Sequence, residues 1–263
     1  MIEGAVYTHK GNIRKQNDDN YYLFQKTNSL DKEQQSYFAM GTCEEEALCA
    51  VFDGMGGTAY GNEASAYAAK LLCEKEVELF QASVSEKEDV LRNIILDINR
   101  KIFRYSIEKG DMGTTIALLY MTASKVYVLN VGDSPIYHVS GNKIEQVSKN
   151  HNLAQFLLDS NIISQDEYKL HQGKHRLLQY LGINEEEMII EPYLCSFLKE
   201  DFEAEEKFIL CSDGLSEGMD KEKLQELLQS EESLEQVTKK MVLGAMKNGS
   251  RDNVTAMVLN IKK

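Results

Sequence analysis

Ala50-Val51-Phe52-Asp53-Gly54-Met55-Gly56-Gly57 is an apolar strand that runs straight into a carboxylate and then into a glycine turn. Leu48 to Phe52 is a near-continuous apolar run of strand length, and such runs belong in a core rather than half exposed. Asp53 is therefore delivered to the edge of a core. Gly54, Gly56 and Gly57 permit backbone angles that a side chain forbids, and they let main-chain groups approach a ligand closely. Taken alone, the stretch reads equally well as a tight strand-to-helix turn closed by an Asx cap.

The same pattern recurs far along the chain. Phe208-Ile209-Leu210-Cys211-Ser212-Asp213-Gly214 is a second apolar run ending in Asp-Gly, and Val128-Leu129-Asn130-Val131-Gly132-Asp133-Ser134 is a third. Gly249-Ser250-Arg251-Asp252-Asn253 precedes a fourth apolar strand, and Gly11 to Asp19 adds Arg14, Asp18 and Asp19. Carboxylates gathered in one place repel unless a cation neutralises them, and oxygen donors suit hard divalent ions such as magnesium or manganese.

Composition narrows the classes. A chain of 263 residues with 43% hydrophobic content can bury a sizeable core, and two prolines, Pro135 and Pro192, with no Gly/Ser-rich or Pro-rich run leave no evident linker. One domain over 1–263 is expected. The formal charge of −13 argues against nucleic acid or an anionic membrane as partner, since both are polyanions. Five cysteines without a C-x-x-C pair read as buried reduced thiols rather than disulfides or a zinc site. Met1 to Lys10 has no signal-peptide apolar core, and no stretch approaches the roughly 20 apolar residues of a membrane helix, so a cytoplasmic location is expected.

Ile2 to Thr8 and Tyr21 to Phe24 read as strands, which a hairpin would join through the loop carrying Arg14, Asp18 and Asp19. Within the polar stretch Thr27 to Glu46, Tyr37 to Met40 is an extra strand without an assigned role. Gly61 to Phe80 reads as a helix with Glu63 early in it, where a carboxylate suits the dipole. Ser85 to Glu88 fits a capping box opening a second helix to about Lys109, with Val90, Ile94, Ile98 and Ile102 as its core stripe. Thr114 to Tyr120, Lys125 to Val131, Pro135 to Val139 and Lys143 to Val147 read as a meander. His151 to Leu181 reads as short helices, followed by strands at Met188 to Cys195, Lys207 to Cys211 and Val254 to Ile261. Lys221 to Gln229 and Leu234 to Lys247 read as amphipathic helices, the second opened by Ser233 and Gln236. The order of elements favours α+β layering over a doubly wound parallel sheet.

Taken in order, Gly11 to Asp19, Val51 to Ser65, Met112-Gly113-Thr114-Thr115, Val131 to Ser134, Asn150-His151 onward, Leu210 to Leu215 and Gly249 to Thr255 resemble the metal-dependent serine/threonine protein phosphatases of the type 2C (PPM) class in their bacterial form. The resemblance implies a four-layer α-β-β-α sandwich of two antiparallel sheets flanked by helices, with a metal site at one end and a mobile flap at about 151–181. It implies hydrolysis of phosphoserine and phosphothreonine in proteins by a water activated between two divalent cations, Mn2+ or Mg2+, without a covalent phosphoenzyme.

By the same resemblance, Asp53 is the bridging and catalytic ligand, and the Gly54 carbonyl completes the second ion's shell. Asp213 and Asp252 hold the first ion, Asp18 the second, and Asp19 hydrogen-bonds metal-held water. A third ion between Asp133 and Asp213 is implied by bacterial members, although Asp133 serves equally as a turn cap. Arg14 is the phosphate clamp, because a guanidinium donates two parallel hydrogen bonds to phosphate oxygens, while Lys15 is solvated. Asp18 stands where the family usually has glutamate, and Pro135 where relatives carry arginine. Metal-held water or His151 would protonate the leaving oxygen, with His171 and His175 facing solvent. Thr114 and Thr115 are expected to pack near the site.

The implied partners are phosphorylated proteins, those of a bacterial serine/threonine kinase, approached by a monomer. The departures at Asp18 and Pro135 keep a second reading open, a phosphatase-fold sensor or scaffold without turnover. No cysteine lies in the Cys-x5-Arg arrangement of thiol phosphatases, and no loop has the twelve-residue calcium-hand pattern.

Overall fold

The computed structural model describes residues 1–28, 34–55, 60–202 and 205–262. Gly56 and Gly57 of the glycine turn, and residues 29–33 of the polar stretch, lie outside the described residues. In chain order the strands are β1 (Ile2–His9), β2 (Asn20–Leu23), β3 (Lys26–Thr27), β4 (Ser36–Cys43), β5 (Ala47–Phe52), β6 (Gly54–Met55), β7 (Gly113–Thr114), β8 (Ile116–Met121), β9 (Lys125–Val131), β10 (Ile136–Ser140), β11 (Lys143–Gln146), β12 (Tyr193–Leu198), β13 (Glu206–Cys211) and β14 (Val254–Ile261). The helices are α1 (Gly61–Gln81), α2 (Lys87–Lys109), α3 (Leu153–Asp159), α4 (Gln165–Leu170), α5 (Asp213–Gly218), α6 (Lys221–Leu228) and α7 (Leu234–Lys247).

Among the described residues the strands form two six-stranded sheets, ordered β11-β10-β13-β14-β1-β4 and β12-β9-β8-β5-β2-β3, and a small β6-β7 ladder. Every pairing is antiparallel. The apolar run of β5 is explained by burial on both faces. Leu48, Ala50 and Phe52 pack with α1 and α2, while Ala47, Cys49 and Val51 pack between the sheets. On the far side, Ile209, Ala256 and Val258 meet Leu224 of α6 and Val237, Met241 and Val242 of α7. Helix layer, sheet, sheet and helix layer follow, the four-layer α+β sandwich that the resemblance implies.

Two expected hairpins are not formed. β1 pairs with β14 and β4 whereas β2 pairs with β5 and β3, so the loop between them crosses from one sheet to the other. The joint Gly132-Asp133-Ser134 makes a second crossing, from β9 to β10. Both tie the sheets together at the same end of the sandwich. The alternation in these strands is satisfied by either partner sheet, since both have one face toward the shared core, and local pattern therefore does not tell a hairpin from a crossover.

Smaller differences have local causes. The box at Ser85 does not form: Glu86 occupies the N-cap of α2 without a side-chain cap, and its carboxylate accepts instead from the Ser83 hydroxyl at 2.5 Å. The strand expected from Met188 begins at Tyr193, where pairing with β9 becomes available. The box at Ser233 and Gln236 is present on α7. Tyr37 to Met40 lies in β4, an edge strand. Phe24 and Gln25 adopt positive φ angles of 47° and 65° in the turn between β2 and β3. The Phe24 ring is pressed against the facing glycines Gly4 and Gly41, whose lack of side chains makes room for it.

Asn99, fully buried on α2, is the polar interruption of that helix's core face. Its carbonyl accepts from the Gly182 and Ile183 amides at 2.8 and 3.0 Å, and its amide donates to the Ile183 carbonyl at 3.1 Å. It thereby fixes the chain as it leaves the 151–181 segment, where Leu181 exchanges backbone bonds with Thr114. Asn99→Ala leaves these buried groups unpaired and should cost about 2–4 kcal/mol. Urea unfolding of wild type and variant measures it, and a midpoint within experimental error of wild type would contradict the assignment.

Candidate metal centre

Antiparallel pairing decides which residues meet. β1 ends at the same edge of its sheet where β14 begins and β13 ends, and in the facing sheet β5 ends where β2 begins. The segments beyond those ends carry Arg14, Asp18, Asp53, Asp213 and Asp252, and the second crossover brings Asp133. All six line one cavity of about 460 Å³, together with Gly54. A cavity of about 830 Å³ opens at the opposite end, beside Ile2 and Ile261. Three of its four acids, Glu44, Glu45 and Glu46, come from a single turn, and Glu200 lies beside Lys199, which also lines it.

The backbone around Asp53 is fastened on each side. Its amide donates to Thr115 Oγ1 at 3.1 Å, and its carbonyl accepts from the Thr115 amide at 2.9 Å and Thr114 Oγ1 at 3.0 Å. Thr115 Oγ1 in turn lies 2.6 Å from Ser134 Oγ beside Asp133. The two threonines thus hold the backbone that presents Asp53, beyond packing near it. Gly54 has no room for a side chain: a Cβ would lie 2.2 Å from the Gly61 carbonyl oxygen and 2.4 Å from that of Asp18. Gly132, at φ 104°, makes the turn before Asp133.

Asn253 received no role from the sequence, although it follows Asp252 directly. Its side-chain amide donates to the Lys10 and Gln16 carbonyls, both at 2.9 Å, and its oxygen accepts from the Asp18 amide at 2.9 Å. One buried side chain so locks the 10–18 loop to the Asp252 segment. Asn152 acts similarly on the other wall, capping α3, donating to the Lys174 carbonyl at 3.0 Å and hydrogen-bonding Asp133. Capping preference was the only sequence signal for either, and it does not say which distant backbone a side chain will reach.

Burial dominates the electrostatics. It raises the proton affinity of Asp53 well above the usual carboxylate range, helped by the nearby charges of Asp213, Asp19, Asp252 and Asp133. Burial pushes Asp19 up to about 8 against the opposing bonds from Thr255 and Ser212, and Asp133 up to about 8 with the charge of Asp213 adding to it. Asp213 rises to about 6 by burial and then the charge of Asp252. Asp18 is raised too, by burial, while Gln16 donates to it at 2.7 Å. Arg14 lies 2.5 Å from Asp252 and remains half exposed on its other side.

The donor set fits a hard divalent cation. Asp213 Oδ1 and Asp19 Oδ1 are buried without any hydrogen-bond partner, the kind of orphaned oxygen that a cation or an ordered water satisfies. Among the described residues no three of these side chains are already drawn together as a single-ion ligand set, and Asp252 is engaged by Arg14. Pro135 is buried, with its carbonyl accepting from the Cys211 amide at 3.1 Å.

The histidines separate. His151 lines a different cavity beside Asn150 and Tyr193. Burial lowers its pKa to about 4, so it is neutral near pH 7, and its Nδ1 accepts from the Gly132 amide at 3.2 Å. That is a structural role, and a neutral imidazole held this way does not serve as the proton donor. His171 accepts from the Gly173 amide at 3.0 Å. His175, expected simply to face solvent, lines the rim of the acidic cavity 3.3 Å from Glu217, which also lines it.

A family profile described as protein phosphatase 2C matches residues 31–258. The serine/threonine phosphatase stp of Listeria welshimeri is 29% identical over 256 residues, covering 96% of this chain and 93% of its own. The crystal structure of the serine/threonine phosphatase Stp1 from Staphylococcus aureus superposes with a TM-score of 0.84 at 26% identity, covering 100% of this chain and 96% of that one. The catalytic domain of a phosphatase called PstP, in complex with two manganese ions, shares the fold with a TM-score of 0.76 at 22% identity, covering all of both chains.

Carboxyls whose proton affinity is raised by folding bind more protons in the folded than in the unfolded chain between about pH 4 and about pH 8. Stability in a chelator should therefore fall as pH rises through that window. Thermal melts in EDTA should lose about 4 °C or more between pH 5.5 and 8.5. Asp133→Asn should flatten the slope, and an unchanged slope would show that this carboxyl is not carrying the strain.

Proposed function

The chain belongs to the protein phosphatase 2C family and is a serine/threonine protein phosphatase of that type, and from this premise we propose that it hydrolyses phosphoserine and phosphothreonine in proteins with two divalent cations, manganese or magnesium. Asp53 and the Gly54 carbonyl, with Asp213 and Asp252 on one side and Asp18 on the other, would hold the pair. Asp133 would add to a third site shared with Asp213. When bound, such cations supply Lewis acidity that lowers the pKa of water and neutralises charge on the transferred phosphoryl group.

The observation that carries the reading is convergence: acids from five remote segments line one cavity, and Asp213 Oδ1 in its lining and Asp19 Oδ1 beneath it are buried without partners. A raised proton affinity at Asp53, Asp133 and Asp213 is what a site made for a cation displays when the carboxylates have only one another for company. No helix of the described residues is long and apolar enough to cross a membrane.

The chain's own residues take these roles. Arg14, half exposed at the cavity mouth, turns its free guanidinium edge to two phosphate oxygens and holds the phosphoryl group in line. Its second partner, Asp252, limits the swing of the side chain. Asp19, beneath the cavity and bonded to Thr255 Oγ1 at 2.6 Å, orients water with its other oxygen. Asp18 has one methylene fewer than the glutamate usual in relatives, and it lines the cavity because Asn253 draws its backbone inward. The leaving alkoxide takes its proton from water in the cavity, His151 being neutral and in another cavity. The whole chain acts as one catalytic unit, and residues 151–181 form a flap over the Asp133 wall that influences which phosphoprotein is accepted. A bacterial serine/threonine kinase would supply those substrates to a monomeric, cytoplasmic enzyme.

Hydrolysis of a phosphothreonine peptide should require added manganese or magnesium and stop on chelation. Asp53→Asn should lower kcat by about a thousandfold or more, the loss of several kcal/mol of charge stabilisation. Turnover surviving both chelation and this substitution would overturn the mechanism, and calorimetric binding of two ions without turnover would favour a scaffold. Arg14→Lys keeps the charge but not the fork, and should reduce kcat/KM for the peptide by about 10-fold to 100-fold. An effect smaller than about twofold would remove Arg14 as the clamp.

A further inference from the structure

The chain has 42 acidic and 29 basic residues, yet two stretches at the pocket run against that balance. Lys10 to Asn17 contains Lys10, Arg14 and Lys15 and no acid, and Lys239 to Arg251 contains four cations and no acid. The fold sews the two together. Asn12 donates to the Met246 carbonyl at 3.1 Å, and Asn253 donates to the Lys10 and Gln16 carbonyls. Gly11 lies so close to the Asp252 carbonyl oxygen that a Cβ there would be 2.1 Å away. The product is one lip of the cavity, with the Arg14–Asp252 pair as its inner edge.

Lys15, Lys247 and Arg251 are exposed on that lip and Lys10 is half exposed. Among the described residues none of these four side chains makes an ion pair or hydrogen bond. Elsewhere lysines are commonly tied to acids, as in the pairs Lys101–Asp97, Lys149–Asp159 and Lys223–Glu226, and within the second stretch Lys240 is held by Glu232. The rest of the lining carries Asp133, Asp213 and Glu217, with His175 beside Glu217. A phosphoprotein approaching the cavity thus meets its densest group of unpaired cations on the lip, with the exposed Arg176 of the 151–181 segment as a further cation across from it, in a molecule whose charge of −13 repels acidic surfaces in general.

We propose that this lip is a docking surface for aspartate and glutamate side chains next to the phosphorylated residue, so that the enzyme prefers phosphosites with acidic neighbours. The proposal rests on the phosphatase reading above and adds the substrate class. Complementary charge at a rim acts on encounter and on discrimination between partners more than on raw affinity. Each exposed pair contributes only about a 1.4-fold to 5-fold factor, so the preference comes from several cations acting together. It reaches only residues within about a Debye length, roughly 10 Å at ordinary ionic strength.

The test compares phosphothreonine peptides of one length with acidic, neutral or basic neighbours, and p-nitrophenyl phosphate as a small ester, all with manganese. Wild type should show kcat/KM about tenfold higher for the acidic than for the neutral peptide, lower still for the basic one, and a preference that shrinks on raising salt from about 0.05 to 0.5 M. The triple variant Lys15→Glu, Lys247→Glu, Arg251→Glu should abolish or invert the order while hydrolysing the small ester at the wild-type rate. Single Lys15→Gln and Arg251→Gln variants, which change only exposed side chains, should each narrow it and stand in if the triple variant does not fold. A further peptide carries a second phosphothreonine as its neighbour, and a preference confined to that peptide would overturn the carboxylate assignment. Turnover of small ester and neutral peptide with no acidic preference, or a preference untouched by the variants, would overturn the docking surface alone. No turnover of any substrate would overturn the phosphatase reading with it.

Discussion

Carboxylates taken out of water lose solvation and repel one another, and at one end of this sandwich Asp53, Asp133, Asp213 and Asp19 are held where both penalties act. A fold tolerates such a cluster only if a proton or a cation relieves it, and the same strain makes the cluster responsive to divalent ions. The surrounding structure is arranged to prevent the cheaper escape, in which the acids turn away into solvent. Their backbones are fixed by neighbours: Asp53 between Thr114 and Thr115, Asp18 by Asn253, Asp133 beside Asn152. What remains adjustable is the last torsion or two of each side chain, which is the freedom ligation needs.

The two crossovers make this possible. A hairpin between β1 and β2 would have left Arg14, Asp18 and Asp19 at the tip of a single sheet, far from an acid presented by the other. By passing from sheet to sheet, the 10–19 loop lies across the seam and meets Asp252 from its own side and Asp53 from the other. The Gly132 to Ser134 joint closes the same seam, and the hydroxyl contact between Thr115 and Ser134 joins the two closures. Packing between the sheets and under both helix layers then holds the seam in register without any residue of the site contributing to the core.

Polar residues buried outside the site do a related task. Asn99 and Asn152 anchor the two ends of the 151–181 segment, one to α2 and the other to the Asp133 wall. Lys87, at 3% side-chain exposure, pairs with Glu46 at 3.2 Å and donates to the Leu79 carbonyl at 2.9 Å, pinning the α1–α2 turn to the start of β5. Each places a directional bond where apolar packing alone would allow sliding, so the strand that carries Asp53 keeps its height in the sheet.

From the sequence by itself came the layered α+β class, the long helices, the apolar strand that delivers Asp53, and every aspartate that lines the cavity, because hydrophobic period and aspartates at strand ends are local signals. The family followed from the order in which those motifs occur. Local signals did not reveal that β1 and β2 belong to different sheets, since alternation is the same whichever sheet a strand joins. Nor did they give Asn253, Asn152, Asn99 or Glu217 a place, because a polar residue's partner is fixed by through-space contact across as many as 243 positions. The basic lip belongs to the same class. Lys15 and Arg251 are ordinary solvated cations in the chain, and they share a surface only because antiparallel pairing of β1 with β14 brings their loops to one edge.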